Sequence, residues 1–114
     1  MKSYNNVTIV GRSVRDVDLK VTANLETKND RANFTLAVDR PYKDHDGKQP
    51  TDFLQIIVYG KLAEICSEYI KKGCLVLVSG RIQTRSYEMN GETKWITEMI
   101  GENINVLEYK KETK

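Results

Sequence analysis

The residues able to do covalent or metal chemistry are few: two cysteines, Cys66 and Cys74, and one histidine, His45. Metal sites of Cys and His need ligands grouped at short, repeated spacings. Cys66 and Cys74 match neither CxxC nor any Cys/His zinc pattern, so neither a metal nor a cofactor is expected. They read as a buried pair of reduced thiols, one in a helix and one opening the next strand. His45 sits in the polar run KDHDGKQP, with no serine or cysteine nucleophile that the sequence can place beside it. No glycine-rich phosphate loop leads into a helix, and neither HExxH nor GxSxG occurs. A reaction needs groups poised for proton transfer or nucleophilic attack, and none cluster here. Binding, not catalysis, is the leading class of function.

What the sequence offers instead is flat rings and positive charge. The formal net charge is only +2, from 18 Lys+Arg against 16 Asp+Glu, which excludes a histone-like basic protein. Locally the balance differs. Between Tyr69 and Tyr87 stand Lys71, Lys72, Arg81 and Arg85 with no acidic residue among them. A cationic strip on a near-neutral protein attracts an anionic polymer without making the whole surface adhesive.

The elements that must position these groups fit one domain, since 114 residues bury a single hydrophobic core. Hydrophobic residues make up 39% and charged residues 30%, which favours neither disorder nor a membrane protein. No apolar run approaches the ~20 residues that cross a bilayer. The start, MKSYNNVTIVGR, lacks the apolar stretch and cleavage site of a secretory signal, so the cytoplasm is the expected location.

Strand alternation dominates. A first strand covers residues 5–12 and continues, bent at 11–13, through 18–22. The polar TANLETKND reads as a loop. Residues 31–40 put Ala32, Phe34, Leu36 and Val38 on one face and Asn33, Thr35 and Ala37 on the other, until Pro41 ends the ladder. In residues 52–59, Leu54, Ile56 and Val58 suit a core, while Phe53, Gln55, Ile57 and Tyr59 face the other way. Residues 61–72 form the one convincing helix, with Leu62, Ile65, Cys66, Tyr69 and Ile70 as its apolar stripe. Lys71 and Lys72 suit its negative end, and Gly73 its stop. In residues 74–87, Val76, Val78, Gly80 and Ile82 oppose Arg81, Gln83, Arg85 and Tyr87. Asn90–Gly91 is a strong hairpin signal. The return strand covers residues 94–100, and a last extended piece covers 103–109.

Strand, strand, strand, helix, strand, strand is the order of the OB-fold: all-β with one helix, a five-stranded Greek-key barrel with the helix between strands three and four. Its usual binding surface is the face of strands two and three, where the outward aromatics fall.

The stretches VTIVGRSVRDVDLKVT, NFTLAVDRPY, TDFLQIIVYGKLAEICSEYIKKG and LVLVSGRIQTRSYE resemble the bacterial single-stranded DNA-binding protein family, from about residue 5 to 107. The resemblance implies non-catalytic, sequence-tolerant binding and protection of single-stranded DNA in replication, recombination and repair. By motif, the stacking positions are Tyr42 after RP, Phe53 in TDF, Tyr59 in VYGK and Tyr87 in TRSY. Several members carry tryptophan at three of these positions, and the only tryptophan here, Trp95, lies elsewhere. The physical basis is general: every base has a π-face, and each stack is worth ~1–3 kcal/mol, a range for which this same family is a standard example. Cations must be interleaved to neutralise phosphates, and the candidates are Arg12, Arg31, Lys43, Lys48, Lys61, Lys71, Lys72, Arg81 and Arg85.

The resemblance also implies a homotetramer, with the first strand, NNVTIVG, as a pairing edge. Full-length members usually carry an acidic tail that recruits replication and repair proteins. The sequence shows a domain over 1–109 and a short polar end over 110–114 without such a tail, so recruitment is assigned to no residue here. An alternative is an accessory OB-fold protein of the replication-restart type acting mainly through protein contacts. A further one is an OB-fold module for protein or oligosaccharide.

Overall fold

The computed structural model describes residues 2–21 and 30–109. The polar end 110–114 and the expected loop, apart from its last residue, lie outside the described residues. Seven elements follow in order: β1 (Val7–Ser13), β2 (Asp18–Lys20), β3 (Arg31–Asp39), β4 (Thr51–Tyr59), α1 (Lys61–Tyr69), β5 (Leu75–Met89) and β6 (Glu92–Glu108).

The strands form one sheet in the order β1-β5-β6-β4-β3-β2, and β1 pairs β3 through Arg12 and Ser13 to close it. β1 and β2 are halves of the bent first strand: β1 runs along β5, its end crosses to β3, and β2 continues along β3. Counted that way, the described residues give the barrel the five strands and one helix of the OB-fold. The crossing demands a close backbone approach. A Cβ on Gly11 would lie 2.7 Å from the Ala37 carbonyl oxygen and 2.8 Å from Val38 Cγ2, so only glycine fits.

Inside the barrel, the alternation expected of β3, β4 and β5 meets at one centre. Phe34 and Leu36, Ile56 and Val58, and Val76 and Val78 are buried together with Ala63, Cys66 and Ile70 from the helix end of the molecule. Each large side chain removed from water there contributes about 1.5–3 kcal/mol.

Three expectations need correction. The helix stops at Tyr69, not Lys72, because the chain turns extended at Ile70 (φ −93°, ψ 111°), whose side chain is fully buried. Lys71 and Lys72 therefore lie beyond the last turn, although Lys71 Nζ still donates to the Ser67 carbonyl at 3.0 Å. The last strand is continuous, whereas the sequence pattern divides it into two pieces. A shift of register between Ser79–Asn103 and Gly80–Gly101 leaves Glu102 as an extra residue, and this bulge carries β6 past its glycine. Finally, Ile82 is exposed, since β5 leaves the barrel beyond Gly80. The hairpin turn is as expected: Asn90 (φ 53°) and Gly91 (φ 78°) are both left-handed. No helix among the described residues is long and apolar enough to cross a membrane.

Candidate nucleic-acid interface

Residues directly opposite on paired strands point to the same side of a sheet. The register of β3 against β4 therefore sets up an outward face in rows: Arg31 with Tyr59, Asn33 with Ile57, Thr35 with Gln55, and Ala37 with Phe53. The Gln55 amide donates to Thr35 Oγ1 at 3.0 Å within its row. Arg12 pairs with Ala37 from β1, so Arg12 and Phe53 flank the small Ala37 on the same side. The outward side continues onto the arm formed by the second half of β5 and the first half of β6. There Arg81 stands opposite Ile100, Gln83 opposite Glu98, Arg85 opposite Ile96, and Tyr87 opposite Lys94.

Tyr42, Phe53, Tyr59 and Tyr87 are between 39% and 65% exposed, so none is taken up by the core. Phe53 and Tyr59 stand on the β4 face and Tyr87 on the arm. Tyr42 is held differently. The Arg40 guanidinium grips Asp52 (Nη2–Oδ1 2.9 Å, Nε–Oδ2 3.0 Å) and donates from Nη1 to the Tyr42 hydroxyl at 3.1 Å. Asp52 pairs with inward Val38, so this tether sits at the barrel rim on the side opposite Phe53. Hydrogen bonding to Arg40 holds the Asp52 carboxyl below its ordinary range. Sequence reasoning missed Arg40. The signal was an arginine two residues before the ring, but only the cross-strand register reveals its partner.

Ile57 corrects the expected exposed set. It points outward yet is 3% exposed, because the arm leans across β4. A cavity of about 230 Å³ beneath the arm is lined by Arg31, Asn33, Gln55, Ile57, Arg85, Ile96 and Glu98, which brings β3 and the arm to one site.

The cations divide into groups. Arg31 shares a row with Tyr59. Arg81 lies on the outward arm, bonded through Nη1 to Gln83 Oε1 at 2.9 Å. Arg85 is paired with Glu98 (2.9 Å), whose side chain is only 3% exposed, so part of its charge is already neutralised. Arg12 is exposed but bonded to Glu108 Oε1 and to the Gly73 carbonyl, both at 3.1 Å. Lys43 and Lys48 lie in the exposed β3–β4 connection next to Tyr42, and Lys61 opens the helix just after Tyr59. Lys71 and Lys72 are not brought to the arm. The barrel half of β5 separates them from Arg81, which breaks the strip that is continuous in sequence.

Residues 4–107 match the family model described as the single-strand binding protein family. Single-stranded DNA-binding protein 1 of Clostridium acetobutylicum is 42% identical over 95% of this chain and 97% of that protein. Single-stranded DNA-binding protein 1 of Streptococcus pyogenes is 40% identical, covering 96% of this chain and 82% of its own length. A solved structure, the Plasmodium falciparum SSB complex with ssDNA, superposes with a TM-score of 0.83 at 29% identity, covering 95% of this chain and 98% of that one. An OB barrel of this register, matched over nearly its whole length, places the chain in the single-strand binding protein family.

Proposed function

We propose that this chain binds and protects single-stranded DNA without catalysis, in replication, recombination and repair. Bases stack on Phe53, Tyr59, Tyr87 and Tyr42 while arginines and lysines beside them meet the phosphates. The observation that carries this reading is the outward row structure: exposed Phe53 and Tyr59 alternate with Arg12 and Arg31 on the wall opposite the aliphatic core. Flat rings accept any base, and a duplex hides the base faces that they need. The similarity to proteins named for single-stranded DNA binding, and to one solved with ssDNA, supports the same partner. The relatives are bacterial, which supports action in the cytoplasm.

Assembly belongs to the same proposal. β1 pairs β3 only at Arg12 and Ser13, so among the described residues one edge from Val7 to Gly11 has no partner. An open edge of this kind pairs readily with another chain, which supports the homotetramer.

The test is an anisotropy titration with oligo(dT) and with duplex at several salt concentrations. Neutralising about four phosphates gives a log–log slope of about −3 for single strands. Equal affinity for duplex overturns the reading.

A further inference from the structure

The cavity under the arm has features that a stacking surface does not require. Its volume, about 230 Å³, is below the ~300–1,000 Å³ of pockets that enclose whole drug-sized ligands, and suits a single planar heterocycle. Ile57 and Ile96 supply apolar lining, Asn33 and Gln55 supply amides, and Arg31 and Glu98 supply opposite charges. Neither group has all its hydrogen-bonding capacity taken among the described residues. Among the described residues, Arg31 Nε is buried without a hydrogen-bond partner, a costly state for a donor. Glu98 is buried with Arg85 bonded to Oε1 and, among the described residues, no second side-chain partner. Arg31 and Glu98 line the same cavity without forming an ion pair, so room remains for something that offers acceptors to one and donors to the other.

We propose that this cavity takes one unstacked guanine base, giving the otherwise sequence-tolerant surface a single point of base preference. This rests on the single-strand reading above. A carboxylate only accepts hydrogen bonds, and guanine alone presents two adjacent donors, N1–H and the N2 amino group, that match its two oxygens. Guanine O6 and N7 are the acceptors that arginine favours, which assigns them to Arg31. Thymine offers one donor between two carbonyls, which Glu98 repels. Adenine and cytosine each offer one amino group beside a ring acceptor, and meet the same repulsion. The isoleucines pack against the base, and reading its Watson–Crick edge requires that the base be unpaired, as in a single strand.

The experiment is a competition titration with short oligo(dT) carrying one central dG, set against the same oligonucleotide with dA or dC there. The dG competitor is expected to bind at least about fivefold more tightly than either, the lower end of a good bidentate contact. In Glu98→Gln that ratio falls to about one, while binding of unsubstituted oligo(dT) persists because Glu98 has no part in stacking. Ile96→Trp, which fills the cavity from its apolar side and leaves the buried carboxylate intact, abolishes the ratio in the same way and serves if Glu98→Gln does not fold. Equal binding of dG and dA by wild-type protein that holds oligo(dT) overturns the guanine pocket and leaves strand binding standing. A ratio that survives in folded Glu98→Gln also overturns it. Loss of oligo(dT) binding by the wild-type protein overturns both readings together.

Discussion

The two halves of β5 alternate alike and end up in opposite surroundings. In the barrel half, Val76 and Val78 are fully buried, facing β3, β4 and the helix. In the arm half, Ile82 is 42% exposed, and Trp95, across the hairpin from Ser86, is 70% exposed. Alternation in a strand states which side a residue faces, whereas burial depends on what stands opposite. Gly80 is the junction: a side chain there would collide with the Ile100 carbonyl, and just before it, between Ser79 and Gly80, the register shifts around Glu102. Below this point β5 belongs to the core; above it, β5 and β6 form an arm laid across the outward face of β3 and β4.

The difference is most easily broken through stability. Phe34→Ala removes a large buried ring from the barrel centre and is expected to cost about 3–5 kcal/mol, read as a lowered urea midpoint. Trp95→Ala removes a larger ring from the arm and is expected to change stability by no more than about 0.5 kcal/mol. Comparable losses in the two variants would show that the arm is packed as the barrel is.

A smaller effect separates the two faces of the sheet. Phe53→Ala and Tyr59→Ala should each weaken oligo(dT) binding by about 1–3 kcal/mol, the range for one lost stack. Both rings are exposed, so the urea midpoint should hardly move. Phe34→Ala perturbs the opposite side of the same strand pair and should weaken binding only as far as it unfolds the protein. Anisotropy at a denaturant-free, low temperature distinguishes loss of a ring from loss of the fold.

The sequence made the barrel legible wherever contacts are local or periodic. The inward sets Phe34/Leu36, Ile56/Val58 and Val76/Val78 follow from period two, and Asn90–Gly91 from turn chemistry. The features that escaped are set by partners distant along the chain. Ile70 ends the helix early because its side chain is buried in the barrel's core. Ile57 is covered only because an arm some 40 residues later leans over it. Asn5 has the look of an ordinary strand residue in sequence, yet its side-chain amide takes the place of backbone, donating to the Ile82 carbonyl at 2.6 Å and accepting its N–H at 3.0 Å. The pairing of Arg85 with Glu98 needs the register of β6, which the bulge at Glu102 offsets. Of the candidate site, Phe53, Tyr59, Tyr87, Arg81 and Arg85 were visible as outward positions, Tyr42 came from the resemblance, and Arg31 stood only as a candidate cation. The pairing of Arg85 with Glu98, and the separation of Lys71 and Lys72 from the arm, were not.

The smallest effect concerns the ring that lies off the main row. Tyr42 is tethered by its hydroxyl to Arg40, and Arg40 is fixed by Asp52. The ion pair is exposed, so Arg40→Met should leave stability essentially unchanged. Its expected cost is in binding, about twofold in affinity, because an untethered ring must be ordered when the base arrives. Arg40→Met also removes a positive charge, so the single variant cannot separate tether from field. A double-mutant cycle with Tyr42→Ala does: the part due to the tether disappears once the ring is absent, and the part due to charge remains. Acid gives an independent handle with a definite sign. The Asp52 carboxyl is held below its ordinary range by Arg40, so the pair is intact at and above the usual carboxylate pKa and is lost as pH falls through the lowered value. The coupling energy in the cycle should therefore stay constant from neutral pH down through the ordinary aspartate range and decline only below it. A coupling that is already absent at neutral pH would mean that Tyr42 binds as an independent ring.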